Sequence, residues 1–170
     1  MGRQSHGDNI LANQKDLEEL GIAIYKVERG GDVTYHGPGQ LCVYPVVNLA
    51  CFKKDLSWFL NSLENIVLKL LSEFRIKAEI KAGQRGVWVK TKKIASVGIA
   101  VKNWTTFHGI SLNIKQDDLA NFSLIRPCGL DIIMTSMQSV LGKDVRIDKV
   151  KEILIKGFEK IFLRFRTNKL

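Results

Sequence analysis

Three stretches of this chain set polar or nucleophilic side chains in glycine-shaped backbone. The longest is Arg29-Gly30-Gly31-Asp32-Val33-Thr34-Tyr35-His36-Gly37-Pro38-Gly39-Gln40. Glycine permits close approach of backbone to a ligand, and proline stiffens the loop while removing one amide donor. Arg29, Tyr35 and His36 add polar groups beside exposed amides, which is how a small-molecule site fixes orientation. Each Gly-Gly or Gly-Pro pair alone is an ordinary turn signal; the unbroken string is the informative feature. The second stretch runs Lys93-Ile94-Ala95-Ser96-Val97-Gly98 and continues into Phe107-His108-Gly109-Ile110. The third is Pro127-Cys128-Gly129, where a shaped turn presents a thiol and makes it a candidate nucleophile.

The rest of the chain must hold these stretches in place. With 170 residues, 45% of them hydrophobic, it suits one domain spanning residues 1–170 with its own core. No run approaches the roughly 18 apolar residues of a membrane span, and the start lacks a secretory apolar stretch, so cytoplasm is the default expectation. The net charge of +9 favours acidic partners, yet no nucleic-acid-binding motif accompanies it. The three cysteines, Cys42, Cys51 and Cys128, form no Cys-x-x-Cys pair, so a zinc site is not expected and the thiols read as free. Cys42 and Cys51 adjoin an apolar run and read as packing residues.

Periodicity predicts a short helix from Gln14 to Leu20 closed by Gly21, then a strand over Ile22–Val27. Leu41–Leu49 reads as a buried strand interrupted at Pro45. Asp55 is a candidate N-cap for a long amphipathic helix carrying Leu56, Phe59, Leu60, Leu63, Ile66, Val67, Leu70, Leu71 and Phe74 with one buried face. From Ile76 to Ile114 the alternation and turn signals predict an antiparallel meander. A helical turn at Leu119–Phe122, a helix ending at Gly142 and a last helix capped by Asp148 complete the chain. The fold class expected is α+β, one mixed sheet flanked by helices.

Taken together, the three stretches resemble the octanoyl-[acyl carrier protein]:protein N-octanoyltransferases, which act in protein lipoylation. The matching segments are Arg29–Gln40, Gly86-Val87-Trp88-Val89, Lys93–Gly98, Phe107–Ile114 and Pro127–Gly129, collinear from about Gly2 to Ser139. The resemblance implies a fold shared with biotin and lipoate ligases. It makes Cys128 the acyl-carrying nucleophile and Lys93 the lysine that lowers its pKa. It makes Arg29, Gly30, Gly31, Asp32, Val33, Thr34, Tyr35, His36, Ser96, Val97, Gly98, His108, Gly109 and Ile110 substrate-binding. Octanoyl-acyl carrier protein is the implied donor. Lipoyl domains of 2-oxoacid dehydrogenase complexes and the glycine cleavage H protein are the implied acceptors. Family members usually carry a further helix and strand ahead of the segment matching Gly2-Arg3, so the chain is expected to be N-terminally short.

Elementary chemistry is consistent with those roles. A free thiol near pKa 8.5 is mostly protonated at neutral pH, and a neighbouring cation favours the thiolate. Exchange of one thioester for another, followed by amide formation, needs no ATP, cofactor or metal. The nearest rival is an ATP-dependent lipoate–protein ligase, for which a cysteine nucleophile is unnecessary; cysteine-dependent transfer between two lipoyl proteins is a second. A rival of another class is an inactive, truncated relative acting as a basic binding module, recognisable by steep salt dependence.

Overall fold

The computed structural model describes residues 1–5, 7–117, 119–126 and 132–167. The chain opens with a 3-10 turn at Gly7–Asn9 and helix α1, Gln14–Glu19, whose N-cap Asn13 accepts the Asp16 N–H. Gly21 adopts φ 65°, and the Gly21 and Ile22 amides close the helix onto Glu18 and Leu17. That pair of bonds is the Schellman arrangement predicted by the glycine.

The sheet contains β1 (Gln40–Val43), β2 (Glu79–Lys81), β3 (Gln84–Val89), β4 (Lys92–Lys102) and β5 (Thr105–Asn113), in the order β1-β5-β4-β3-β2. Every pairing among these strands is antiparallel. Among the described residues, the parallel component expected of a mixed sheet amounts to an isolated bridge between Lys93 and Met134. Hairpins join β2 through β5, and antiparallel neighbours need no crossover. At the β4–β5 turn Asn103 and Trp104 take φ 50° and 62°, which suits a two-residue hairpin.

Helix α2, Leu56–Glu73, begins at Asp55, whose carboxylate accepts the Trp58 N–H at 2.9 Å. The same bond and Lys53 hold the Asp55 carboxyl below the usual carboxylate range. α2 lays Phe59, Leu63, Ile66, Val67, Leu70 and Leu71 into the core against Val87, Ile94, Ile110, Leu112 and Ile114. Helix α3, Met137–Leu141, is capped by Ser136 and stopped by Gly142 at φ 65°. Helix α4, Ile147–Thr167, packs on α2 through Val150, Leu154 and an aromatic cluster centred on Phe162.

Three sequence expectations shift. No strand forms at 22–27; the Val27 N–H instead meets the Met1 carbonyl at 2.9 Å, and Tyr25 stands 71% exposed. β1 ends at Val43, because Pro45 cannot extend a ladder. Asp148 is not the cap of α4 but lies within its first turn, where an acidic side chain complements the helix dipole.

Candidate active site

A cavity of about 820 Å³ lies between β4, β5 and the glycine-rich loop. That volume falls within the range of small-molecule sites. The loop is suspended from the sheet by the Gly30 N–H, which donates to the Ile99 carbonyl at 2.8 Å. Its outer side is laced to the first residues of the chain: Gly2 N–H to Asp32 O, Arg3 N–H to Arg29 O and Gln4 N–H to Gly31 O. Asp32, 7% exposed, spends its carboxylate on Asn9 Nδ2 and the Val33 N–H. Gly30, Gly31 and Asp32 therefore shape the loop from behind and are not among the cavity-lining residues.

Arg29, Val33, Thr34, Tyr35 and His36 line the cavity, as do Ser96, Val97 and Gly98 of β4 and His108, Gly109 and Ile110 of β5. Gly98 pairs with Gly109 at the centre of the sheet. A Cβ on Gly109 would meet the Val43 carbonyl oxygen at 2.3 Å, so β1 closes on β5 because that side chain is missing. His108 carries φ 58° in mid-strand, a conformation seldom adopted by a residue with a side chain. Its Nε2 is buried without a hydrogen-bond partner and lies 3.8 Å from a Glu28 carboxylate oxygen.

A polar chain ties the lining residues Tyr35, His36, Ser111 and Asn121 together, partly through Gln40, which does not itself line the cavity. The Tyr35 hydroxyl accepts from Asn121 Nδ2 at 2.8 Å, and the Tyr35 carbonyl accepts from Gln40 Nε2. Gln40 Oε1 accepts from the Ser111 hydroxyl at 2.7 Å and lies 3.1 Å from His36 Nδ1. The Cys42 sulfur is 3.4 Å from the same ring nitrogen. Burial in this wall lowers the His36 pKa below its ordinary value, with Arg29 adding to the shift and the Gln40 bond opposing it. Cys42 and Cys51 are exposed rather than packed as expected, although partial desolvation at this wall pushes the Cys42 thiol up.

The apolar wall comes from elements that sequence reasoning had not assigned to the site. Leu17, Leu20, Ile22 and Ile24 face the cavity from α1 and the segment after it; Leu124 and Ile125 do so from beyond the 3-10 turn Leu119–Leu124. The meander itself supplies Val97 and Ile110. Asn121, Tyr44 and Ser111 were missed as well. Ser111 was legible in principle, since it stands two residues from Gly109 on one face of β5.

Lys93 is not a cavity-lining residue. It begins the stretch that does line it, so Ser96 stands about 10 Å farther along β4. The Lys93 Nζ lies 5.3 Å from the Trp88 ring centroid. Its backbone N–H donates to the Ile133 carbonyl, and its carbonyl accepts from the Thr135 N–H, each at 2.9 Å. Cys128 lies outside the described residues. Upstream of it the Arg126 N–H is bonded to the Asn9 carbonyl at 2.8 Å. Among the described residues no cluster of His, Cys, Asp or Glu could hold a metal ion, and no helix is long and apolar enough to cross a membrane.

Solved lipoate and biotin protein ligases share this fold. A bipartite lipoate protein ligase from Thermoplasma acidophilum matches with a TM-score of 0.73 at 18% identity, over 94% of this chain and 65% of that one. A biotin protein ligase from Aquifex aeolicus matches with a TM-score of 0.61 at 18% identity, over 98% of this chain and 70% of that one. Residues 1–159 match the family model described as the lipoyl protein ligase A/B catalytic domain. An octanoyltransferase of Thermoanaerobacter sp. (strain X514) is 46% identical over 156 residues, covering 91% of this chain and 67% of that protein. One from Syntrophobacter fumaroxidans is 44% identical over 165 residues, covering 96% and 72%. The chain belongs to the octanoyltransferase family within that catalytic-domain class, and it spans about two thirds of the length of these relatives.

Proposed function

We propose that the chain moves an octanoyl group from octanoyl-acyl carrier protein to a lysine of a lipoyl domain through a thioester on Cys128. The observation that carries this reading is the convergence of separate sequence stretches, Arg29–His36, Ser96–Gly98 and His108–Ile110, on one cavity with an apolar wall. An apolar wall suits a saturated acyl chain, and the polar loop suits its carbonyl end.

In the first half-reaction the Cys128 thiolate attacks the donor's thioester carbonyl, and the donor's thiolate leaves. In the second, an acceptor lysine amine attacks the acyl-enzyme. The new amide forms, the Cys128 thiolate leaves, and the amine's proton passes to a base. Lys93 as ammonium is the proposed charge partner of Cys128 in the first half, where it passes its proton to the departing donor thiolate; as neutral amine it is that base in the second. Support comes from the tether between Lys93 and residues 133–135. Cys128 precedes Ile133 by few enough residues that the intervening chain spans at most about 17 Å. Backbone amides of the glycine loop or of Cys128-Gly129 would hold the developing oxyanion. Lipoyl domains of 2-oxoacid dehydrogenases and the glycine cleavage H protein are the acceptors in this reading.

Intact-mass measurement after mixing with octanoyl-acyl carrier protein tests it. One octanoyl adduct is expected on the wild type and none on Cys128→Ala; an equal adduct on that variant refutes the nucleophile. Incubation with free octanoate and ATP is expected to give no transfer, whereas turnover there would favour a ligase.

A further inference from the structure

Beyond the acyl-transfer reading, on which this inference rests, β3 shows how Lys93 is held. Gly86 and Trp88 stand two residues apart on β3, and Trp88 pairs directly with Lys93 on β4. A Cβ on Gly86 would lie 2.5 Å from Lys93 Cε and 2.4 Å from the Ala95 carbonyl oxygen. The Lys93 stem thus crosses β3 through space that glycine leaves open. Gly86 has φ 115°, a conformation nearly closed to other residues. Its N–H is fixed from the core side by Glu64 Oε1 at 2.8 Å; Glu64, 0% exposed on α2, also pairs with Arg85 at 3.0 Å.

Trp88 is 4% exposed, and its Nε1 is buried without a hydrogen-bond partner. A buried indole N–H that bonds to nothing is unfavourable, and phenylalanine would fill similar space without one. What tryptophan alone offers is the ring face that binds cations best. Two ammonium groups use it: Lys93 Nζ at 5.3 Å and Lys81 Nζ at 4.7 Å from the centroid. Among the described residues, charged groups near this pair include Glu79 of β2, which pairs with Trp88 and lies 3.9 Å from Lys81, Lys92 of β4, and the Arg85–Glu64 pair on the α2 side.

We propose that Trp88 is a positioning residue: its indole face, with the gap at Gly86, fixes the ammonium of Lys93 at one place beside β3 so that it can act on Cys128. A lysine stem is flexible, and each contact that narrows its rotamers localises its charge.

The test is the pH dependence of Cys128 alkylation by iodoacetamide, followed by peptide mapping to separate it from Cys42 and Cys51. In Trp88→Leu the midpoint is expected to rise toward the free-thiol value, slowing alkylation at pH 7 by roughly three- to tenfold. Trp88→Phe is expected to show a smaller rise with an unchanged or higher Tm, a combination that a purely structural role does not give. In a Lys93→Met background the Trp88 substitutions are expected to add nothing. An unmoved midpoint in Trp88→Leu, or an equal shift with and without Lys93, overturns the proposal. If Lys93→Met itself leaves the midpoint unchanged, the acyl-transfer assignment of Lys93 fails instead. A measurement on the wild type removes dependence on folded variants. With 13Cε-labelled lysine, the Lys93 ε-methylene resonance, assigned through Lys93→Arg, is expected upfield of the exposed lysines. An unshifted resonance contradicts the contact with the ring.

Discussion

His36 and Gly109 show how much of the site is settled by single atoms. The His36 pKa is lowered because the wall takes water from one side of an imidazole that stays exposed on the other, so the folded protein modestly favours the neutral ring. The unfolded chain takes up the proton near pH 6.5, before the folded one does. Stability from this residue is therefore complete above that value and is lost as pH falls toward the lower folded pKa. Tm measured at pH 7.5 and 5.5 is expected to drop less in His36→Gln than in the wild type; equal drops would contradict the shift. Gly109 has the opposite character, since its contribution is an absence. Alanine there would drive a methyl against the Val43 carbonyl oxygen and Pro45 Cδ, at 2.3 and 2.6 Å. Backbone must then move, at a cost of about 1–3 kcal/mol. The denaturant midpoint of Gly109→Ala is expected to fall accordingly. Acyl loading is expected to fall with it, because β1 carries both Gln40 and Cys42 of the polar chain.

At the scale of elements, the helix α2 was the most legible part of the chain. Its apolar residues recur three and four apart behind Asp55, and the structure buries that face. Leu63 is 0% exposed in the core, so Leu63→Ala is expected to cost about 2–5 kcal/mol in urea unfolding, depending on how far the cavity collapses. The meander was legible too, because alternation and turn residues mark each hairpin. Segment 22–27 was not. Its residues are strand-like in type, but Ile22 and Ile24 turn toward a cavity that sequence periodicity cannot see. The parallel contact of Lys93 with Met134 was equally hidden, since it joins residues remote in sequence through a single bridge. Within the site, the glycine string announced the loop but not which side faces the ligand. Asp32 and Gly31 proved to brace it, while Asn121 and Ser111, unremarkable in sequence, complete the polar wall.

Across the whole molecule the charge is unevenly placed. Between Arg75 and Lys93 seven basic residues stand against one acidic residue, Glu79. Arg75, Lys77, Lys90 and Lys92 are exposed around the β2–β3–β4 end of the sheet, and Lys149 of α4 reaches the same end, its Nζ 5.9 Å from the Phe74 ring. Some of this charge protects the edge strand β2 from pairing with other chains. Edge protection alone would leave the catalytic rate indifferent to salt. A role in collecting an acidic donor makes a different demand, because attraction between separated charges is screened over about 10 Å at 0.1 M salt. With octanoyl-acyl carrier protein as donor, kcat/KM is expected to fall on the order of tenfold as salt rises from about 0.05 to 0.5 M. With a small neutral octanoyl thioester it is expected to change little. Lys77→Glu combined with Lys90→Glu is expected to lower kcat/KM for the protein donor while leaving the small thioester's rate intact. Parallel loss for both donors would show that the substitutions had damaged the site itself, and equal salt curves would leave the basic end as edge protection alone.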